Sequence, residues 1–156
     1  MAFNINLTFA HFHQIKITQI AWTKDTVQLQ IWDTAGQERY KSISKAYFRN
    51  ALGAVLVFDI TNINTFENAS MWLQELRESC NQNDFILLVG NKKDRENDRE
   101  VSEEAALEFA RQQIIEYREA SALSGDNVKE TFARLAFAIA EKTRQGIIQI
   151  NQEKKK

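Results

Sequence analysis

A chain of 156 residues, 44% hydrophobic and 10% aromatic, has enough apolar surface to bury one core, which excludes disorder as its main state. Its 20 basic and 21 acidic residues leave a formal charge of -1, which excludes nucleic-acid binding through net charge. One cysteine, Cys80, excludes an internal disulfide framework, and no apolar run approaches the ~20 residues of a membrane span.

In chain order, the first segment runs from Met1 to Phe12 with no basic leader, and Asn4 and Asn6 interrupt its apolar residues, so it is not expected to be a signal peptide. Phe3, Ile5, Leu7 and Phe9 alternate in the manner of a strand. Only a residue or two separates Phe9 from the next strand, whereas a parallel neighbour needs a crossover of about a dozen residues or more. The segment is therefore expected to extend a sheet edge and not to become a central strand. His11 and His13 would share one face of a strand, but without a third ligand no metal is expected there.

From Gln14 to Trp22 and from Thr26 to Trp32, apolar and polar residues alternate, with Val27, Leu29 and Ile31 set against Gln28 and Gln30. Around Thr23-Lys24-Asp25 this predicts a hairpin, half exposed at a sheet edge. Ala54 to Phe58 and Phe85 to Val89 are continuously apolar, the pattern of parallel strands covered on both faces, and Ile115 to Arg118 is a weaker fourth candidate. Between them lie helical periods: Phe66, Ala69, Leu73, Leu76 and Cys80; Ala105 to Ala110; and Val128, Phe132, Leu135 and Ile139. Asn64 before Glu67, Ser102 before an acidic first turn, and Asn127 before Glu130 read as helix starts. With no repeat, no proline and five scattered glycines, the reading is one α/β domain over residues 1–145 and a polar basic tail over 146–156.

In an open parallel sheet, ligands bind beyond the carboxyl ends of the strands. Three such ends are distinctive. Asp33-Thr34-Ala35-Gly36-Gln37-Glu38 follows the strand expected to end at Trp32; its aspartate can hold a metal's water, and Gly36 lets a backbone N–H approach a phosphate oxygen. Asn91-Lys92-Lys93-Asp94 follows the strand expected to end at Gly90. A carboxylate such as Asp94 can accept two parallel hydrogen bonds from the N1–H and exocyclic amino group of guanine. Adenine has no such pair of donors, so charge-assisted bonds of about 1.5–3 kcal/mol each would favour guanine. At Ser121-Ala122-Leu123, a small residue's N–H can meet the guanine carbonyl, and a serine can orient Asp94.

Trp32-Asp33-Thr34-Ala35-Gly36-Gln37-Glu38 and Asn91-Lys92-Lys93-Asp94, in that order, closely resemble the Ras superfamily of small GTPases. Gln28 to Trp32, Arg39 to Ile43, Tyr47 to Ala51, and Leu56 to Thr61 look like its Rab branch, and the resemblance spans Gln14 to Thr143. It implies a Ras-like P-loop GTPase fold: a mostly parallel sheet with an N-terminal antiparallel hairpin and helices on both faces. The implied activity is a GTP/GDP-dependent switch in vesicle-mediated membrane traffic that uses Mg²⁺, with guanine nucleotide, Rab effectors and regulators as partners. Asp33 would reach Mg²⁺ through water, beside Thr34 and Ala35; Gly36 would sense the γ-phosphate; and Gln37 would be the catalytic residue that orients the attacking water. Asn91, Lys92, Asp94, Ser121, Ala122 and Leu123 would hold the base. Trp32 and Tyr47 would face effectors, and Gln37 to Ile43 would switch with nucleotide state.

Departures from the family pattern set further expectations. Family members begin with a strand, a glycine-rich phosphate loop and a helix upstream of the hairpin. Gly36, Gly53, Gly90, Gly125 and Gly146 are the only glycines here, and none precedes a lysine. The chain is thus expected to be N-terminally truncated and its sheet to lack the first central strand, leaving two inner edges across a gap. Without the loop's N–H cradle, lysine and hydroxyl, GTP hydrolysis is expected to be absent or very weak. The first-switch threonine position falls at Ala10, with Thr8 nearby, and Leu123 stands where the family has lysine. The tail, ending Lys154-Lys155-Lys156 without cysteine, implies no prenyl anchor in this chain, which is expected to be cytoplasmic unless a partner or a lipidated full-length tail carries it to a membrane; a monomer is expected. Two alternatives are a non-catalytic module competing for Rab effectors and a translated fragment without function.

Overall fold

The structure, a computed structural model, describes residues 2–6, 15–22, 25–34, 51–79 and 85–147. The elements in chain order are β1 (Ala2–Asn6), β2 (Ile15–Trp22), β3 (Asp25–Thr34), β4 (Gly53–Asp59), α1 (Ile63–Ser79), β5 (Phe85–Asn91), a kinked 3₁₀ segment (Lys93–Asp98), α2 (Glu103–Gln113), β6 (Glu116–Glu119) and α3 (Val128–Arg144). One sheet takes the order β2-β3-β1-β4-β5-β6. The β4-β5 and β5-β6 pairs are parallel; the β2-β3, β3-β1 and β1-β4 pairs are antiparallel.

The gap expected at the centre of the sheet is filled. Residues Ala2 to Ile5 pair with Thr34 to Ile31 on one side and with Leu56 to Gly53 on the other. A long crossover is required only by a strand parallel to its neighbour, and β1 runs antiparallel to both. It therefore satisfies two inner edges that would otherwise expose unpaired backbone groups. Pairing with β1 also carries β3 past Trp32 through Asp33 and Thr34, so these two residues end the strand instead of following it. Likewise, β5 continues through Asn91, which pairs with Asp59 of β4.

The continuously apolar strands are covered on both faces, as their composition predicts. On one face Val55, Leu87 and Val89 join Leu29 and Ile31 of β3 against Leu135, Ala136 and Ile139 of α3. On the other, Leu56, Phe58 and Leu88 meet Ala69 and Leu73 of α1 and Ala106 and Ala110 of α2. Phe66 bridges the rings of Phe58 and Phe109, with centroids 4.9 and 5.4 Å away. Full burial of a leucine such as Leu73, Leu87 or Leu135 stabilises by about 1.5–3 kcal/mol before entropy is counted.

Helix starts differ in detail from the sequence reading. Ser102 caps α2 as expected, its hydroxyl accepting from the Ala105 N–H at 3.1 Å. The cap of α1 is Asn62, whose Oδ1 accepts from the Asn64 N–H at 3.1 Å; Asn64 itself already lies inside the helix. Asn127 precedes α3, but its φ of 56° turns its side chain away from a capping role, and its Nδ2 donates to the Glu119 carbonyl at 2.9 Å. Cys80, His11, His13, Thr8, Ala10 and residues 148–156 lie outside the described residues.

Candidate functional site

Because β1 is antiparallel to both β3 and β4, β3 points the same way as β4, β5 and β6. The carboxyl ends of these four strands therefore share one edge of the sheet. Three of the connections leaving that edge are described: Ile60 to Asn62, Lys92 onward, and Ala120 to Asn127.

The second and third connections are bonded to each other. Ala120 donates its N–H to the Gly90 carbonyl at 2.9 Å and accepts from the Lys93 N–H at 3.1 Å. Asn91 adds a side-chain tie, its Oδ1 accepting from the Ala122 N–H at 3.0 Å. Ser121 is fully buried, its hydroxyl donating to Asp94 Oδ1 and accepting from the Ser124 N–H. A serine thus orients the carboxylate, as expected. The Ala122 N–H, expected to meet a guanine carbonyl, instead ties the loop to Asn91.

The loop is wound tightly enough to require unusual backbone. Ser121 accepts from the Gly125 N–H at 2.9 Å, and Gly125 adopts a φ of +83°, a conformation open to glycine without strain. Gly90 is needed for a different reason: a Cβ there would lie 2.8 Å from Tyr117 Oη and 2.9 Å from Ile60 Cγ2. Tyr117 in turn donates to Glu119 Oε1 at 2.6 Å. Arg99 grips both oxygens of Glu119 at 2.8 Å each, bonds Glu96 and donates to the Val101 carbonyl at 3.0 Å. These contacts staple the chain following Asp94 to β6.

Electrostatics follow from these contacts. Burial pushes the Glu119 carboxyl up, but the bonds from Arg99 and Tyr117 outweigh it and hold the group below the usual carboxylate range. Burial, reinforced by Glu119, pushes the Tyr117 hydroxyl well above its usual value. Asp59 at the end of β4 is also held low: burial opposes ionisation, but Lys92 and two hydrogen bonds from Thr61 prevail.

Asn91, Lys92, Asp94, Ser121 and Ala122 are thus brought together, and Leu123 adjoins them, 87% exposed. Its apolar side chain is open to cover a ligand. Asp33 and Thr34 reach the same edge by backbone register, facing Phe3 and Ala2 across the β3-β1 ladder. Three strand spacings separate β3 from β5, about 14 Å. Trp32 stands opposite Asn4 and Ile15. Ala35, Gly36, Gln37 and Tyr47 lie outside the described residues.

Sequence reasoning missed Asp59, which pairs with Lys92, Thr61, which bonds Asp59, and Asp126, which pairs with Lys93 at 2.9 Å. Reading the residues after every strand would have found the first two, since Asp59-Ile60-Thr61 closes β4 at the same edge.

Asp94, with one oxygen held by Ser121, suits a paired donor edge such as that of guanine. For Mg²⁺ the donor set named by the sequence is Asp33, on β3 and distant from this cluster. Among the described residues no group of three or more His, Cys, Asp or Glu side chains could hold a metal ion, and no helix is long and apolar enough to cross a membrane. Compared with models of known protein families, residues 3–141 match the one for the Ras family.

Proposed function

Because the chain belongs to the Ras family, and so is a small GTPase of guanine-nucleotide-binding kind, we propose that it is a Rab-like switch of vesicle-mediated membrane traffic. The observation that carries the reading is the Ser121–Asp94 bond, which presets a carboxylate at the carboxyl edge of the sheet. There Asp94 would accept from the N1–H and amino group of guanine, Asn91 and Lys92 would flank the base, and Ser121, Ala122 and Leu123 would close its other side. Asp94 would thus select guanine over adenine by hydrogen bonds worth about 1.5–3 kcal/mol each.

At the β3 end, Asp33 would hold Mg²⁺ through water, Thr34, Ala35 and Gly36 would adjoin the phosphates, and Gln37 would orient the attacking water. Bound Mg²⁺ would supply charge neutralisation at the phosphate oxygens. The Rab assignment draws support from the segments Gln28 to Trp32, Arg39 to Ile43, Tyr47 to Ala51 and Leu56 to Thr61, with Trp32 and Tyr47 toward effectors.

These 156 residues hold no Gly-x-x-x-x-Gly-Lys-[Ser/Thr] motif. We therefore expect weak phosphate binding and little turnover from them. The same feature favours a second reading, a module that binds the base and Rab effectors without catalysis.

The test is to purify the 156-residue chain, denature it and chromatograph any released nucleotide, with Asp94→Ala in parallel and guanosine binding measured by calorimetry. Bound GDP or GTP that is lost in Asp94→Ala supports the switch. Guanosine binding without retained nucleotide or turnover supports the non-catalytic module. A folded chain that binds neither overturns the base site.

A further inference from the structure

Asp59 is held from several sides. Its Oδ1 accepts from the Thr61 N–H at 2.9 Å and from the Thr61 hydroxyl at 2.7 Å. Its own N–H donates to Thr65 Oγ1 at 2.9 Å, and that hydroxyl is anchored on the Asn62 carbonyl. The next residue, Ile60, donates its N–H to the Asn91 carbonyl at 3.1 Å, which locks the ends of β4 and β5 together. The carboxylate is therefore a fixed acceptor whose position does not depend on any long side chain.

Its remaining oxygen receives Lys92. The Lys92 ammonium lies 2.6 Å from Asp59 Oδ2, although the lysine side chain is 44% exposed. Lys92 also adopts a φ of +70°, a left-handed conformation unfavourable for a residue with a Cβ. Its place in the chain is between Asn91, tied to the Ala122 N–H, and Asp94, tied to Ser121. An exposed lysine stem would ordinarily sample many rotamers; here both its backbone and its far end are held.

We propose that Asp59 is a positioning residue for the nucleotide: by holding the Lys92 ammonium at the end of β4, it lays the lysine's methylene stem along the base-reading cluster as an apolar wall for the purine ring. This rests on the guanine-nucleotide reading above. The ammonium is already neutralised by Asp59, so the group offered to the ring is the stem. The contribution is pre-organisation: the wall is set before the ligand arrives, and binding does not have to order it.

The test titrates guanosine and inosine into the full chain, Asp59→Asn, Lys92→Met and the Asp59→Asn/Lys92→Met pair, and follows Lys92 acylation by mass spectrometry without ligand. Asp59→Asn is expected to weaken guanosine binding roughly fivefold and to speed Lys92 acylation. The guanosine-to-inosine ratio, which reads the contact of Asp94 with the amino group, should stay constant. In the Lys92→Met background, Asp59→Asn should add little.

An equal loss in that background would mean that Asp59 does not act through Lys92 and would overturn the proposal. So would faster acylation with unchanged guanosine affinity. Should Asp59→Asn fail to fold, Lys92→Ala removes the stem at an exposed position, and undiminished guanosine affinity there overturns the proposal too. Binding that depends on Asp94 but not on Asp59 sinks only this inference, whereas a wild-type chain that binds no guanosine sinks the base site with it.

Discussion

The β4, β5 and β6 strands run parallel between α1 and α2 on one face and α3 on the other, whereas β2, β3 and β1 form an antiparallel ladder joined to them through β1. In the parallel part, three successive strands deliver their carboxyl ends to one edge, so the segments after Asp59, Asn91 and Glu119 converge and bond to one another. In the antiparallel part only β3 points that way. The candidate base site is therefore a product of parallel topology, and its anchoring residues are those closing the parallel strands. The antiparallel part contributes the Asp33-Thr34 end, and β1 is the backbone link that sets its distance.

The convergence of the parallel strand ends depends most heavily on Glu119. Its side chain and that of Arg99 are only 9% and 15% exposed, so Glu119→Ala takes from Arg99 its most buried partner, leaving Glu96 and the Val101 carbonyl, and takes from the Tyr117 hydroxyl its acceptor; it should cost about 2–4 kcal/mol in urea unfolding. An effect below about 1 kcal/mol would mean that the parallel end does not depend on this staple. Next comes Gly90→Ala, whose Cβ would press on Tyr117 and Ile60. A loss of about 1–3 kcal/mol is expected from overpacking.

A comparable probe of the link is Asn4→Pro. Asn4 pairs with Trp32 and Ala54, and proline in a central strand removes a ladder donor. A destabilisation of about 2 kcal/mol is expected, together with faster hydrogen exchange in both β3 and β4. Unchanged exchange in β4 would remove β1 from its bridging position.

The pH dependence separates the ends of the same network. The Asp59 and Glu119 carboxyls lie below their usual values in the fold, so their stabilisation is present above an unfolded-state pKa of about 4 and is lost as pH falls through the folded values. Tyr117 is shifted upward, so its contribution holds below about pH 10 and is lost as pH rises beyond that. Urea midpoints measured against pH should show both limbs, with the alkaline limb reduced in Tyr117→Phe. The smallest expected effect concerns the caps: Asn62→Ala should cost about 1 kcal/mol and Asn64→Ala a few tenths, by thermal melting.

Much of the parallel part was legible beforehand. Ala54 to Phe58 and Phe85 to Val89 read as doubly covered strands, and the stripes of Phe66 to Leu76 and Val128 to Ile139 read as helices. A side chain's polarity reports how many faces of its element are buried, and that information is local. Asn91, Asp94 and Ser121 were likewise legible as a group, because each lies at or shortly past the end of a strand that could be placed. Asp59 was within the same reach but carried no role until Lys92 was seen on it.

What the sequence by itself determined is the set of elements, their α/β alternation, and which residue types stand at the strand ends, since apolar period and local turn chemistry are properties of neighbouring residues. Only the tertiary structure decided that Ala2–Asn6 enters the middle of the sheet antiparallel to both neighbours, and that Lys92 is held by a carboxylate on a different strand. An alternating segment fits any open sheet edge in either direction until the edges beside it are in place. Similarly, an ammonium finds its partner among groups brought close by β4-β5 pairing, a distance that spacing along the chain does not encode.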